Sequence, residues 1–315
     1  MTGRQAAPRA GTPGGPRPGE RLANEPLSSE PLSSEPSSSE PLPGDRPQSG
    51  ELGKRLVSAV VMAALAIAAV VAGGPPFLLF WAVAAVGVFL EWSAMTEGPA
   101  LRARMLAGAA FAAAALLMGT GDPGAALLAV LAGAAVVAVL DRSPRRLWRG
   151  AGVLYAGTAL LGPGLLRGDR EFGLFALLFL FAVVWSTDVF GYFVGRAVGG
   201  PRLAPAVSPN KTWSGALGGA FGAVAMGAAV AGIAGAEAAP EAAVALVLSI
   251  ASQAGDLFES GIKRRFGVKD ASHVIPGHGG LMDRLDGFIA ACGVAALLGL
   301  VRGGLDAPAR GFLLW

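Results

Sequence analysis

The sequence predicts an all-α polytopic membrane protein with about nine transmembrane helices and a cytoplasmic N-terminus, preceded by a disordered tail. Hydrophobic residues fill 53% of the 315 positions and charged residues only 15%, whereas soluble domains carry about 25% charged residues. Several apolar stretches exceed the roughly 17 residues that a helix needs to cross a bilayer. The abundant alanine and glycine suit close helix packing in lipid.

The first 50 residues differ from the rest of the chain. Pro, Ser, Gly, Glu and Arg dominate there, and a near-repeat of five residues begins at Glu25, Glu30 and Glu35. Such a segment buries too little apolar surface to offset the entropy lost on ordering. We therefore predict a disordered tail over 1–50, which is either dispensable or a docking segment for a partner.

Nine apolar segments follow the tail, separated by breaks that are rich in glycine and proline. We divide them into N-terminal membrane helices over 51–170 and a second membrane region over 171–315, which holds the candidate catalytic groups. The only cysteine, Cys292, falls in the last segment, so no internal disulfide can form. The predicted helices span 55–72, 76–92, 104–119, 124–140, 151–166, 172–195, 213–235, 240–259 and 286–302.

The distribution of positive charge indicates how the helices are oriented. With a cytoplasmic N-terminus, and leaving the tail aside, 16 Lys and Arg residues lie inside and 4 lie outside. The positive-inside rule favours this orientation. It also places the loop at 196–212 and the polar stretch at 260–285 on the same side, so we expect a site at the cytoplasmic face of the cell membrane.

Acidic residues cluster at the end of the eighth predicted helix and the start of the ninth. Asp283 and Asp286 are three residues apart, as are Asp256 and Glu259, so each pair shares a helix face. Carboxylates this close repel one another, and Mg²⁺ prefers carboxylates, water and phosphate oxygens as ligands. We therefore predict a magnesium site. The alternative is that neighbouring basic side chains neutralise these acids, namely Lys263, Arg264 and Arg284.

A basic run and a glycine-rich turn lie between these two acidic pairs. The run comprises Lys263, Arg264, Arg265 and Lys269, and the turn is Gly277–Gly280. Glycines allow backbone N–H groups to approach an anion closely. Acids for a metal, bases for phosphate and a glycine turn together are typical of phosphoryl or nucleotidyl transfer. The alternative for the basic run is anchoring at lipid headgroups.

Further candidate polar residues lie outside these two clusters. Asp188 interrupts an apolar segment, which in a membrane indicates function or pairing with another polar group between helices. Ser208 and Lys211 precede the seventh helix, where free N–H groups attract anions; Ser208 is alternatively a plain N-cap. His278, between glycines, is a candidate contact for a phosphate or a base. Glu91 has no evident companion, and we expect it to extend to the membrane interface.

These residues together resemble the signature of the phosphatidate cytidylyltransferases, also called CDP-diacylglycerol synthases. The family pattern is Ser-x-x-Lys-Arg-x-x-x-x-Lys-Asp, followed by Pro-x-His-Gly-Gly-x-x-Asp-Arg-x-Asp. The resemblance extends over about 172–301, with departures from the usual family residues at Val189, Asn210 and Ser214. Every fixed position of the signature is met over 27 residues, by Ser260, Lys263, Arg264, Lys269, Asp270, Pro276, His278, Gly279, Gly280, Asp283, Arg284 and Asp286.

The resemblance implies an enzyme of phospholipid synthesis that makes CDP-diacylglycerol and pyrophosphate from CTP and phosphatidate with Mg²⁺. It implies a homodimer in the membrane lipid bilayer, and we expect no nucleic-acid partner. The implied metal ligands are Asp256, Asp283 and Asp286, which with Lys263 and Arg264 form the implied catalytic set. The implied substrate-binding residues are Asp188, Ser208, Lys211, Ser260, Lys269, His278, Gly279, Gly280 and Arg284.

Two other functions are compatible with parts of this pattern. A transporter also carries intramembrane acids and broken helices, but here the charges cluster on one side and no inverted repeat is evident. A CTP-dependent lipid kinase, such as a polyprenol or phytol kinase, would transfer the γ-phosphate rather than the cytidylyl group. The complete signature favours the cytidylyltransferase.

Overall fold

The computed structural model describes residues 49–97, 101–234, 237–272 and 279–315. The tail predicted to be disordered lies, up to residue 48, outside the described residues. The elements are α1 (Ser49–Ala72), α2 (Gly74–Glu97), α3 (Leu101–Gly119), α4 (Pro123–Leu140), α5 (Arg146–Gly168), α6 (Gly173–Val198), β1 (Arg202–Ala204), β2 (Ser208–Thr212), α7 (Trp213–Ala234), α8 (Ala238–Arg265), α9 (Met282–Gly303) and α10 (Pro308–Leu313).

Within the described residues, seven helices are long and apolar enough to cross a membrane, namely α2, α3, α4, α6, α7, α8 and α9. A shorter apolar stretch, Val57–Ala72, makes up most of α1, and α5 carries Pro163 in its interior. The predicted all-α polytopic membrane class is confirmed. The small antiparallel hairpin of β1 and β2 was not predicted.

Each of the nine predicted segments corresponds to one helix, but several helices run past the predicted apolar limits. α8 ends at Arg265 rather than at 259, and α9 begins at Met282 rather than at 286. An apolar run marks the part of a helix that suits lipid, whereas Lys, Arg and Glu are good helix formers beyond that limit. Lys263 and Asp283 therefore lie on helices and not in the connecting loop.

Two glycines allow α8 to pack directly against α9. A Cβ added at Gly255 would meet the carbonyl oxygen of Asp286 at 2.8 Å and would overlap the Cβ of Ala290. A Cβ added at Gly287 would meet Ser252 Oγ at 2.5 Å. The two backbones approach this closely because neither position carries a side chain.

Glycines also hold α6 against α7, beside the hairpin. A Cβ at Gly215 would meet the carbonyl oxygen of Gly191 at 2.9 Å, and one at Gly219 would meet that of Thr187 at 2.8 Å. Thr212, the last residue of β2, accepts a hydrogen bond on Oγ1 from the N–H of Gly215 at 3.1 Å. The hairpin is thus fixed to the first turn of α7.

A stack of aromatic rings joins α2, α6 and α9. The ring of Phe288 stacks on that of Trp81 at a centroid distance of 5.1 Å and on that of Phe181 at 5.0 Å. Phe181 in turn stacks on Trp185 at 5.2 Å. Offset aromatic pairs of this kind add to the stabilisation that ring burial provides. Cys292 lies one turn further along α9 and is fully buried.

The α8–α9 contact predicts an unusual response to alanine. Gly→Ala in a helix interior normally stabilises by roughly 0.5–1 kcal/mol, but Gly255→Ala should lower the midpoint of thermal unfolding because the methyl group has no room. Gly108→Ala in α3 is the matched control, since nothing lies within 4 Å of its added Cβ. Unfolding of the detergent-solubilised variants is followed by circular dichroism. A raised midpoint for Gly255→Ala would contradict the packing argument.

Candidate active site

Lys263 links α8 to α9 through two carboxylates. Its Nζ lies 2.7 Å from Asp283 Oδ1 and 2.8 Å from Glu259 Oε2. Glu259 is fully buried, and the other two side chains are nearly so. Since Glu259 and Lys263 are one turn apart, α8 supplies two of the three charges. A buried charge is tolerated when it is paired and hydrogen-bonded, and Lys263 meets this condition through its hydrogen bond to Asp283.

Backbone donors also hold the carboxylate of Asp283. The N–H of Gly280 donates to Oδ2 at 2.8 Å, and the N–H of Ala271 donates to the same oxygen at 3.1 Å. Gly279, just before this turn, has φ of +80°, a conformation that favours glycine because it has no Cβ. Asp283 therefore joins the start of α9 to the chain that leaves α8.

The hairpin brings a second lysine to α8. Lys211 in β2 forms an ion pair with Asp256, and Ser260 lies one turn further along α8, with its Oγ 3.5 Å from Asp256 Oδ1. The sequence places the loop at 196–212 and the polar stretch at 260–285 on the same side of the membrane, and this ion pair brings the hairpin to the part of α8 that leads into that stretch.

Carboxylates from three helices and one loop converge on a cavity of about 1130 Å³. We call this space the larger cavity. The rest of its lining is mostly apolar and comes largely from α1, α2, α6 and α9, including the four rings of the aromatic stack. Its five acids outnumber its two bases, so its field opposes an anion unless further cations are present. The charged lining residues are Asp188, Asp256, Lys263, Asp270, Asp283, Arg284 and Asp286.

A second space, the smaller cavity, lies between α6, the hairpin, α7 and α8 and has a volume of about 600 Å³. Three basic side chains line it, those of Arg196, Arg202 and Lys211. Asp188 and Asp256 line both cavities. These two carboxylates therefore mark the place where the two spaces meet.

Two of the predicted basic residues lie away from both cavities. Arg264 turns toward the hairpin, where its Nε donates to the carbonyl oxygen of Val207 at 3.3 Å and its Nη1 to that of Val268 at 3.2 Å. Lys269 is exposed. His278, the predicted contact for a phosphate or a base, lies outside the described residues.

Hydroxyl groups of the hairpin have local roles. Ser208 lies in β2 opposite Ala204, and Thr212 rather than Ser208 occupies the capping position of α7, so the N-cap alternative for Ser208 is wrong. Ser214, one of the departures from the family pattern, donates from Oγ to the carbonyl oxygen of Gly199. This bond fastens the first turn of α7 to the end of α6.

Glu91 is the residue that sequence reasoning misjudged. It does not extend to the interface, because it is only 5% exposed. Its carboxylate accepts hydrogen bonds from Ser272 Oγ at 2.6 Å and from the N–H groups of Leu281 and Met282 at 2.8 and 2.7 Å. These partners follow it by 181 to 191 positions, so no local spacing could have revealed them.

The site offers carboxylate oxygens as possible metal ligands. In the ranges that the structure describes, no three Asp, Glu, His or Cys side chains form a compact group of ligands. Asp256 and Asp283 each contact a lysine instead. The donor set nevertheless has the chemistry that Mg²⁺ prefers, because it consists of several carboxylates beside open space for water and phosphate.

Comparison with known proteins places this site in a family. The sequence model described as "Cytidylyltransferase family" matches residues 53–301. The chain belongs to the cytidylyltransferase family. Proteins named phosphatidate cytidylyltransferase from Brucella suis and Brucella melitensis are 43% and 42% identical over 264 residues, which cover 83% of this chain and 98% of each relative. One from Haemophilus influenzae is 43% identical over 129 residues, 39% of this chain and 45% of that protein. The expected family is confirmed.

The two lysines of this cytidylyltransferase should differ in their effect on stability. Lys263→Met leaves two buried carboxylates without their cation and should destabilise the fold by about 3–5 kcal/mol. Lys211→Met is the matched control, because Lys211 and Asp256 are 28% and 36% exposed and such pairs contribute little.

Thermal unfolding measures the difference between these two variants. Adding Glu259→Gln to Lys263→Met removes one unpaired charge and should restore part of the lost stability. Equal midpoints for the two lysine variants would show that Lys263 does not stabilise the fold by pairing with buried Glu259 and Asp283.

Proposed function

We propose that this protein transfers the cytidylyl group of CTP to phosphatidate and forms CDP-diacylglycerol and pyrophosphate. The name that its relatives carry supports this reaction. The observation that carries it is the meeting of two cavities of different character at Asp188 and Asp256. A reaction between a soluble nucleotide and a membrane lipid requires such a junction.

The smaller cavity suits the nucleotide. Its volume of about 600 Å³ is within the range of roughly 300–1,000 Å³ that is usual for small-molecule sites. Arg196, Arg202 and Lys211 offer three cations to a triphosphate, and Arg presents a planar fork of donors that matches phosphate oxygens. We assign the polyphosphate of CTP to this basic lining.

The larger cavity suits the lipid. Apolar side chains of α1 and α2, such as Met62, Leu65 and Phe80, line it together with Trp185 of α6. This lining can accept acyl chains at no cost in buried polar groups. Lys263 and Arg284 lie in the polar part of the same cavity, and we assign the phosphate of phosphatidate to that part.

The chemistry requires positioning and charge neutralisation rather than a strong base. A phosphate monoester has a second pKa of about 6, so phosphatidate is mostly a dianion at neutral pH. One of its oxygens forms a bond to the α-phosphorus of CTP. The bond from that phosphorus to the bridging oxygen breaks, and its electron pair leaves with pyrophosphate. No proton has to be removed from the nucleophile.

The residues of the two cavities therefore offset the negative charge of the two substrates and hold the substrates in position. Two polyanions must come together in a partly dehydrated space, where uncompensated repulsion is large. Lys211 comes from β2 and pairs with Asp256, whereas Lys263 comes from α8 and pairs with Asp283, so each can offset charge on one substrate. Holding the reacting atoms in line supplies the remaining acceleration.

We also propose that the reaction requires Mg²⁺, held by Asp256, Asp283 and Asp286. The excess of acids over bases in the larger cavity supports this, because two anionic substrates cannot enter such a field without added positive charge. When bound, the metal would stabilise negative charge on the phosphate oxygens.

The membrane arrangement is part of the proposal. We propose that α1 to α9 all span the cell membrane and that the N-terminus and the site face the cytoplasm, as the excess of inside Lys and Arg supports. A homodimer is proposed on the family resemblance alone.

The function is tested with membranes that contain the protein, phosphatidate and CTP labelled at the α-phosphorus. Label in the lipid is the expected result. Label that remains in CDP would indicate a lipid kinase and would overturn the proposal, and so would the absence of turnover with well-inserted protein.

The metal proposal predicts the effect of Asp286→Asn. Asn keeps the shape of the side chain but removes its charge, and a loss of several kcal/mol of charge stabilisation corresponds to a loss of about a hundredfold or more in turnover. Asp286 is preferred over Asp283 because Asp283 also neutralises buried Lys263.

The control for this variant is Asp306→Asn, which changes an exposed acid beyond the other end of α9. Turnover is measured over a Mg²⁺ titration for both variants. Wild-type rates and an unchanged Mg²⁺ requirement in Asp286→Asn would remove Asp286 from the metal site.

A further inference from the structure

A buried carboxylate far outside the family signature contacts residues that precede and residues that follow positions 273–278 in the sequence. Glu91, on α2, accepts a hydrogen bond from Ser272, which precedes that segment. It accepts two more from Leu281 and Met282, which follow it. With three hydrogen bonds of 2.6 to 2.8 Å and 5% exposure, this carboxylate is among the most firmly held polar groups of the described chain.

Two of these hydrogen bonds cap α9, the helix that carries the proposed metal ligands Asp283 and Asp286. The first N–H groups of a helix have no partner within the helix, and the partial positive charge at a helix N-terminus attracts an anion. Leu281, the residue before α9, makes no side-chain cap of its own. Glu91 therefore supplies the cap of α9 from another helix.

The approach of Glu91 also explains a glycine. A Cβ at Gly280 would lie 2.7 Å from Glu91 Oε2 and 3.0 Å from its Cδ. Gly280 does not belong to the glycines with positive φ, so its backbone conformation alone would admit alanine. The position is restricted by the carboxylate that lies against it.

The position of the first turn of α9 determines where the carboxylates of Asp283 and Asp286 lie. Asp283 follows Met282 directly, and Asp286 is one turn further on the same face. We propose that Glu91 is a positioning residue, which fixes the first turn of α9 and thereby aligns Asp283 and Asp286 with Lys263. This role rests on the proposed function, since it concerns the same site.

The decisive variant is Glu91→Gln. Glutamine replaces one acceptor oxygen with an NH₂ group that cannot accept a hydrogen bond, so the N–H of Leu281 or that of Met282 loses its partner. We expect kcat to fall at least about tenfold, while the KM for CTP changes less than about twofold, because the nucleotide cavity is intact. Backbone amides of 281–290 should exchange with deuterium faster than in the unaltered protein.

The matched control is Asp122→Asn. Asp122 also caps a helix through its carboxylate, since Oδ1 accepts from the N–H of Ala125 at 2.9 Å, but α4 carries no residue of the site. This variant should exchange faster in α4 and keep its kcat. An equal loss of kcat in both variants would show that Glu91 acts only through general stability.

A second pair of variants tests the contact itself. Gly280→Ala should lower turnover because its methyl group displaces the Glu91 carboxylate. Glu91→Asp shortens the side chain by one methylene and leaves room for the methyl group that Gly280→Ala adds. The two losses of activity should therefore not multiply. The residual activity of the double variant should be at least about fivefold higher than the product of the residual activities of the two single variants. Interaction of this kind is expected only between residues in contact.

Two further results would also overturn the proposal. One is a Glu91→Gln variant with unchanged kcat and unchanged exchange in 281–290, and the other is strict multiplication of losses in the Gly280–Glu91 pair. If Glu91→Gln does not accumulate in membranes, the activities of the Gly280→Ala, Glu91→Asp and double variants test the proposal instead. The exchange measurement needs no substrate, so it judges the positioning role even if unaltered protein fails to label phosphatidate from CTP.

Discussion

Neutralisation of charge inside an apolar helix bundle is the constraint on which the rest of this structure depends. Lys263 lies within 2.8 Å of both Glu259 and Asp283, and without this cation their buried carboxyl groups would have no charged partner in the cluster. Because Glu259 and Lys263 come from α8 and Asp283 from α9, the ion cluster also fixes how these two helices meet. Glycine at 255 and 287 then brings the backbones close enough for the cluster to form.

The N-terminal helices contribute more than a frame around this cluster. α1 and α2 form much of the apolar wall of the larger cavity. Glu91, in the C-terminal half of α2, accepts hydrogen bonds from the N–H groups of Leu281 and Met282 at the start of α9. Trp81 of α2 stacks on Phe288 of α9. Through these contacts, a change in α2 can shift the start of α9 and with it Asp283 and Asp286.

The sequence was a good guide wherever a property is local. Apolar length located each of the helices α1 to α9, and three-residue spacing identified Asp283 and Asp286 as neighbours on one helix face. Charge counting put the loop at 196–212 on the same side of the membrane as the polar stretch at 260–285, and the Lys211–Asp256 pair agrees with this. Helix ends were less accurate, because hydropathy reports lipid contact while hydrogen bonding continues for another turn or more.

Long-range partners were beyond the reach of the sequence. Arg264 matches the family pattern as well as Lys263 does, yet it bonds to Val207 while Lys263 enters the ion cluster. Residue spacing along α8 does not show which of the two side chains turns toward the hairpin, because the position of the hairpin is set by contacts between distant parts of the chain. Glu91 was misjudged for the same reason, since its partners come from the other half of the chain.

The burial of Cys292 makes the protein convenient to probe by chemistry. The chain has no other cysteine, and this one is enclosed between α9 and α5, where its Sγ would lie 2.9 Å from a Cβ at Gly162. A thiol reagent that stays in water should not reach it. A cysteine introduced at any surface position can therefore be labelled alone, without first removing the native one, and the side of the membrane on which each loop lies can be read directly.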